Sequence, residues 1–211
     1  MDGVLVGAGG LPRCWWGVGD PEYESYHDLE WGRPVADDRR VFEELCLEGF
    51  QSGLSWLTIL RKRNNFRKAF VSFDVERLAR FNARSVDRLL LDPGIVRHRG
   101  KIEATINNAR RCLELVDQVG SVAAYVWSFE PDGSSRPATL DRPTLTQLGV
   151  SAEARALSKD LKRRGWSFVG PTTVESTMES IGLVNHHVDR CHFKTEVDDA
   201  RAAFVRPRRS G

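Results

Sequence analysis

The stretch Cys46-Leu47-Glu48-Gly49-Phe50-Gln51-Ser52-Gly53-Leu54-Ser55-Trp56 reads as the interior of one long helix carrying two glycines. Glycine inside a helix costs about 0.5–1 kcal/mol relative to alanine. Two of them about one turn apart imply that the backbone approaches something closely or bends. Around them lie a carboxylate (Glu48), an amide (Gln51), an exposed-reading leucine (Leu54) and a tryptophan (Trp56). In a straight helix Glu48 and Trp56 would stand roughly 12 Å apart along the axis. A bend at Gly53 would let them close over a flat object. A carboxylate beside an aromatic face suits a planar cationic or amino-bearing ring. The same residues also suit an amphipathic helix with a surface Glu and a core Trp, and one helix does not decide between the two.

Working outward, helical signals recur. Asp20-Pro21 is an N-cap followed by proline at the first helical position. The helix it opens carries Tyr23, Tyr26, His27 and Trp31 and ends at Gly32-Arg33-Pro34. Asp37 caps a helix with Val41, Phe42 and Leu45 on one face. Asp74 caps a short segment through Leu78, and Ser85 caps Val86 to Leu91. After Asp92-Pro93-Gly94 comes a long helix from about Gly100 to Val119, striped by Ile102, Ile106, Ala109 and Leu113. Residues 130 to 150, rich in Pro, Ser, Gly and Thr, read as a surface loop. Ser151 opens another helix, and Thr172-Thr173-Val174-Glu175 reads as a capping box. Strand-like alternation is confined to short runs such as Trp166 to Val169. The pattern predicts an all-α fold: residues 1–12 a loose leader, 13–194 one domain of two helical lobes, 195–211 a polar basic tail that ends in disorder.

The 211 residues suffice for a well-buried core. With 41% hydrophobic and 28% charged residues the chain reads as a globular protein. A net charge of +2 does not by itself demand a polyanionic partner. Local clusters do more: Arg61-Lys62-Arg63, Arg97-His98-Arg99-Gly100-Lys101, Lys162-Arg163-Arg164 and Arg206 to Arg209. No basic leader and no long apolar run is present, which predicts a cytoplasmic protein that does not enter a membrane. Cys14, Cys46, Cys112 and Cys191 lack disulfide-type clustering, in keeping with a reducing compartment.

Two constellations carry chemistry. From Ser85 to Leu115 the chain reads helix, Gly-containing hairpin, helix. The second helix offers free N–H groups at its start, and Arg97, Arg99 and Lys101 surround them. That suits the DNA backbone without regard to sequence, and equally an αα-hairpin with a basic solvent face. The second constellation joins the chain ends. His187 and Cys191 stand at i, i+4, one helical turn apart, as one ion requires; His186, five from Cys191, fits a helix face less well. Cys14 and His27 would complete a Cys2His2 zinc set, closed and structural, with no position for an activated water. A buried core pair would also explain His187 and Cys191. Cys46 and Cys112 lie among apolar neighbours, as buried thiols do.

Taken together, the chain resembles the bacterial DNA-3-methyladenine glycosylase I family of the helix-hairpin-helix glycosylase superfamily. The resemblance runs from about Cys14 to Cys191. It includes Cys14-Trp15-Trp16, Tyr26-His27-Asp28-Leu29-Glu30-Trp31-Gly32, Cys46-Leu47-Glu48-Gly49 and Gly53-Leu54-Ser55-Trp56. It continues through Gly94-Ile95-Val96-Arg97-His98-Arg99-Gly100-Lys101-Ile102, Phe168-Val169-Gly170 and Gly182-Leu183-Val184-Asn185. Residues 1–12 and the tail fall outside it. His186 stands where the family often has an acidic residue.

The resemblance implies a monomeric DNA repair enzyme that flips 3-methyladenine out of alkylated double-stranded DNA and hydrolyses the base–sugar bond without cutting the strand. It implies one structural zinc on Cys14, His27, His187 and Cys191. It implies base contacts from Trp16, Tyr26, Trp31, Glu48 and Trp56, with Glu48 also the catalytic candidate. It implies DNA contacts from Gly53, Leu54, Arg97, Arg99, Gly100 and Lys101. A DNA-binding helix-hairpin-helix protein without excision activity is the alternative, and the joint presence of Glu48, Tyr26 and Trp56 argues against it.

Overall fold

The computed structural model describes residues 3–133 and 137–208. Among these residues run eleven α-helices. The first six are α1 (Pro21–Leu29), α2 (Asp38–Gln51), α3 (Trp56–Ala69), α4 (Val75–Ala79), α5 (Ala83–Leu90) and α6 (Arg99–Val119). Then follow α7 (Val122–Trp127), α8 (Arg142–Leu148), α9 (Ala152–Arg163), α10 (Pro171–Ser180) and α11 (Lys194–Ala203). The fold is mostly helical, as expected, with one small antiparallel ribbon that the sequence pattern does not announce. Its strands β1 (Val4–Val6) and β2 (Pro12–Cys14) pair Val4 with Cys14 and Val6 with Pro12.

The expected loose leader is therefore ordered from residue 3; Met1 and Asp2 lie outside the described residues. Arg13 provides the reason. Its buried guanidinium donates to Asp28 at 2.8–3.1 Å and to the Ala8 carbonyl at 2.9 Å. The Ala8 N–H in turn donates to Glu24. Charge-assisted bonds of this kind are about twice as strong as neutral ones. The expected tail is also ordered, through residue 208. Val197 and Arg201, one turn apart on α11, are both buried; Arg201 donates to the Gly182 carbonyl and to Glu130.

Helix α2 is the centre of the core. Every residue from Val41 to Phe50 is buried, and α3, α6, α7 and α10 pack against it. The long helix expected through Trp56 is in fact two. Helix α2 stops at Gln51, Gly53 takes φ +80°, and the Ser55 hydroxyl caps α3 by accepting from the Thr58 N–H. Gly49 stays helical for a different reason: a Cβ there would sit 3.2 Å from the Phe168 carbonyl oxygen.

Asp20, Asp37, Asp74 and Ser151 cap as their sequence positions predict. Elsewhere the chain departs from expectation. Asn82, not Ser85, opens α5, with Ser85 completing a capping box three residues on. Gly170 and Pro171 open α10, and Glu175 is taken up by Ser151 instead of a cap. Trp166 to Val169 forms no strand, and part of the expected 130–150 loop is α8. Residues 134–136 of that segment and 209–211 of the tail lie outside the described residues. Gly94 is not left-handed; a Cβ there would stand 2.9 Å from Asp92 Oδ1 and 3.1 Å from the Asn65 side chain, so a larger residue would have to push both aside.

Gly182 joins the two ends of the domain. It has φ +80°, and a Cβ there would fall 2.6 Å from the backbone at Gly32 and Arg33. Both strain and overlap act on a larger residue. Gly182→Ala is expected to lower stability by about 2–4 kcal/mol. The check is a lower urea midpoint at an unchanged m-value.

Candidate functional site

The break after α2 turns the start of α3 back over the last turns of α2, and α1 closes the third side. Between them lies a cavity of about 210 Å³. It is lined by Trp16, Tyr23, Tyr26, Trp31, Glu48, Gln51, Trp56, Ser176 and Glu179. That volume lies below the 300–1,000 Å³ of drug-sized clefts and suits a single flat ring system. All five residues expected to contact a base are brought together here. Tyr23, Gln51, Ser176 and Glu179 were not expected. Tyr23 lies one turn before Tyr26 on the same face of α1, a signal the sequence did carry. Ser176 and Glu179 come from α10, whose packing on α2 no local pattern announces.

The walls are aromatic. Trp16 and Trp31 meet edge to face at 4.7 Å between ring centres, Trp16 and Tyr23 at 5.2 Å, and Tyr26 and Trp56 at 5.5 Å. The floor is acidic. Glu48 is 5% exposed, and its Oε2 has no hydrogen-bond partner. Burial, then the nearby charges of Glu44 and Glu179, push its carboxyl well above the ordinary range. Glu44, one turn earlier on α2, is pushed up to about 7 by burial and by Glu43. The Trp56 indole N–H is likewise buried without a partner. An unpartnered buried acceptor and donor in one cavity are what a ligand with complementary polar edges would satisfy.

Behind the Trp16 and Trp31 wall lies a second buried group. Cys14 Sγ, His27 Nε2 and Cys191 Sγ lie within 4.8 Å of one another. The His187 ring is 4.8 Å from the His27 ring, centre to centre, and its Nε2 is buried with no partner. Each imidazole is oriented through its other nitrogen: His27 Nδ1 bonds Asp28 and His187 Nδ1 bonds Asn185, both at 2.8 Å. Metal-ligating histidines are held in this way. Burial, and then the His27 ring, hold His187 neutral, with a pKa near 3. Cys14, His27 and Cys191 form a possible metal-binding group, and the His187 donor lies beside that group without being part of it. One detail is corrected: residues 184–191 form no helix, so chain folding rather than i, i+4 spacing brings His187 to Cys191. Cys46 and Cys112 are free, buried thiols, as expected.

The expected DNA-contact residues fall at two places. Gly53 and the 42%-exposed Leu54 form the turn between α2 and α3 at the mouth of the cavity. Arg97 and Arg99 are exposed at the start of α6; Arg99 already pairs with Asp87 and Glu103. Gly100 packs beneath His98 and Phe168. Lys101 is a correction. It is buried, and its ammonium donates to the carbonyls of Phe50 and Ser52 at the end of α2, so its charge caps a helix instead of facing outward. No described helix is long and apolar enough to cross a membrane.

An aromatic-walled slot with a buried carboxylate, set in a helical frame, defines a receptor for one flat heterocycle. The profile of a family described as methyladenine glycosylase matches residues 15–195. The chain is 46% identical to DNA-3-methyladenine glycosylase 1 of Escherichia coli over 182 residues, covering 86% of this chain and 96% of that one. It is 41% identical over 185 residues to a DNA-3-methyladenine glycosylase of Haemophilus influenzae, 87% of this chain and 98% of that one. A solved structure of 3-methyladenine DNA glycosylase I from Staphylococcus aureus, described as the structural basis of 3-methyladenine recognition, superposes with a TM-score of 0.80. The two share 39% identity over 86% of this chain and 96% of that one. The chain belongs to the methyladenine glycosylase family, and so is an enzyme acting on N-glycosyl bonds.

The raised Glu48 carboxyl has a consequence for stability. In the unfolded chain it ionises near 4.5, and in the fold it holds its proton to higher pH. Stability therefore falls as pH rises from about 4.5 through the folded-state value, and the loss is absent below 4.5. Glu48→Gln is expected to melt higher than wild type at pH 8, with the gap closing by pH 4, read by thermal denaturation at both pH values.

Proposed function

We propose that this enzyme flips 3-methyladenine out of alkylated double-stranded DNA and hydrolyses its N-glycosidic bond without cutting the strand. The observation that carries the reading is the unpartnered Glu48 carboxyl at the floor of an aromatic slot. A base inside a duplex is out of reach, so the nucleotide must leave the stack, at a cost of a few kcal/mol that is least for a poorly paired lesion. The methylated ring is cationic while attached to the sugar. Tyr26 and Trp56 offer it ring faces, and Glu48 offers hydrogen bonding to its amino edge. When the bond breaks, its electrons pass to the ring, which leaves neutral and needs little help from an acid. Water takes its place on the sugar carbon and loses a proton to solvent. Glu48 reads and fixes the base in this scheme; it is not a strong general base.

The hairpin α5–α6, with Arg97, Arg99 and Gly100, serves as a helix-hairpin-helix grip on the phosphate backbone, and Gly53-Leu54 enters the gap left by the flipped nucleotide. Lys101 supports this from within, by tying α6 to the turn. The enzyme acts as a cytoplasmic monomer. Zinc fits the buried donors Cys14, His27, His187 and Cys191. It would supply a structural tie between the chain ends and take no part in bond cleavage.

Purified protein is expected to release 3-methyladenine from methylated DNA and leave the strand uncut. Glu48→Gln is expected to lose at least about tenfold in both excision and free-base binding. Lost excision with intact binding would instead make Glu48 a base catalyst. For the metal, about one zinc per chain is expected by elemental analysis. Cys191→Ser is expected to lower the melting temperature by several degrees, a loss of about 2 kcal/mol or more.

A further inference from the structure

The cavity holds a second carboxylate. Glu179 stands on α10, one turn beyond Ser176, and both line the slot opposite the α2 residue Glu48. No Lys, Arg or His lines it among the described residues. Glu179 is not left to swing freely: its Oε1 accepts from His186 Nδ1 at 2.8 Å. His186 comes from the segment after Gly182 and also borders a separate cavity with Glu175 and Val184. Glu175, one turn earlier on α10, is buried and spends its Oε2 on the Ser151 N–H and hydroxyl at 2.8 and 2.6 Å. Of the two acids on this face of α10, only Glu179 offers its charge to the slot.

We propose that Glu179, held by the His186 imidazole, is a specificity-determining residue that makes the slot prefer a cationic purine over a neutral one of the same shape. Glu48 is almost wholly desolvated and serves best as a hydrogen-bonding partner for the amino edge. Glu179 is 28% exposed and faces a site whose aromatic walls screen a charge less than water does. Division of labour follows: one acid reads shape and hydrogen bonding, the other reads charge. Once the base–sugar bond breaks, the ring is neutral and the pull of Glu179 lapses, which favours product departure. This inference rests on the base-excision reading given above, and its test does not require excision.

The probes are 3,9-dimethyladeninium, a fixed cation in which a methyl group replaces the sugar, and neutral 3-methyladenine, both titrated at pH 7.5 by tryptophan fluorescence. Glu179→Gln keeps the shape and the acceptor for His186 and removes only the charge. It is expected to weaken binding of the cation about tenfold, ~1.4 kcal/mol, and binding of the neutral base less than twofold. His186→Ala is expected to reproduce part of that loss and His186→Asn, which can still donate, to restore it, with the zinc content equal in both variants. Equal effects of Glu179→Gln on the two ligands, or none on the cation, would overturn the inference. Cation binding that depends on Glu179 in a protein that releases no base from methylated DNA would overturn the activity and leave this inference standing. Failure of wild type to bind either ligand would overturn both.

Discussion

Glu48 sits near the end of α2 with one oxygen unpartnered, and holding a carboxyl out of water in this state costs the fold stability. The rest of the molecule is arranged around that cost. Helix α2 is buried from Val41 to Phe50 and carries Glu43, Glu44 and Glu48 into the interior. Glu43 is met by Arg67 at 2.7 Å. Glu30, on the segment below α1, is gripped at both oxygens by Arg63 at 2.6–2.7 Å. Those pairs offset local charge near the slot and leave Glu48 as the one acid at its floor without a cation. The large apolar contribution comes from Phe42, Phe50, Phe66, Phe70 and Phe73, packed ring on ring at 4.7–6.4 Å behind α2. Phe73 lies in a left-handed Val71-Ser72-Phe73 turn, a conformation costing roughly 1–2 kcal/mol per residue. The burial of Phe73 against Phe42 and Phe70 offsets part of it.

The buried cysteine–histidine group and the aromatic slot share a wall. Trp31 packs at 4.6 Å on His187 and stacks on His27, while Trp16 meets His27 at 5.2 Å. Both indoles also line the slot. His27 and His187, far apart in sequence, thus support two of the rings that would hold the base. Gly182, pressed on Gly32 and Arg33, brings the C-terminal segment into that position.

What the sequence reveals here is mostly local. The caps Asp20, Asp37, Asp74 and Ser151 are legible because a cap is a contact between residues two or three apart. Glu48 and Trp56 are legible as a pair because a glycine-marked break lets residues of neighbouring helices face one another, whereas Tyr26, on α1, joins them only through the family resemblance. Features set by long-range packing are not legible. Ser176 and Glu179 depend on how α10 lies on α2. Lys101 belongs to a basic run whose charge is evident, while its inward direction depends on the carbonyls at the end of α2. Arg13 and Arg201 carry no local signal of burial and are buried because Asp28, Glu130 and the Gly182 carbonyl lie within reach in the fold.

The Lys101 ammonium ties the start of α6, after the α5–α6 hairpin, to the end of α2 just before the Gly53-Leu54 turn. Burial has already lowered its affinity for a proton, yet two carbonyls hold it in place. These two bonds fix the start of α6 against the last turn of α2. A hairpin that tightened on a strand would, on the excision reading, press Leu54 toward the helix axis of its target at the same time. On the excision reading, sampling intact DNA and probing each nucleotide for looseness would be a single mechanical act.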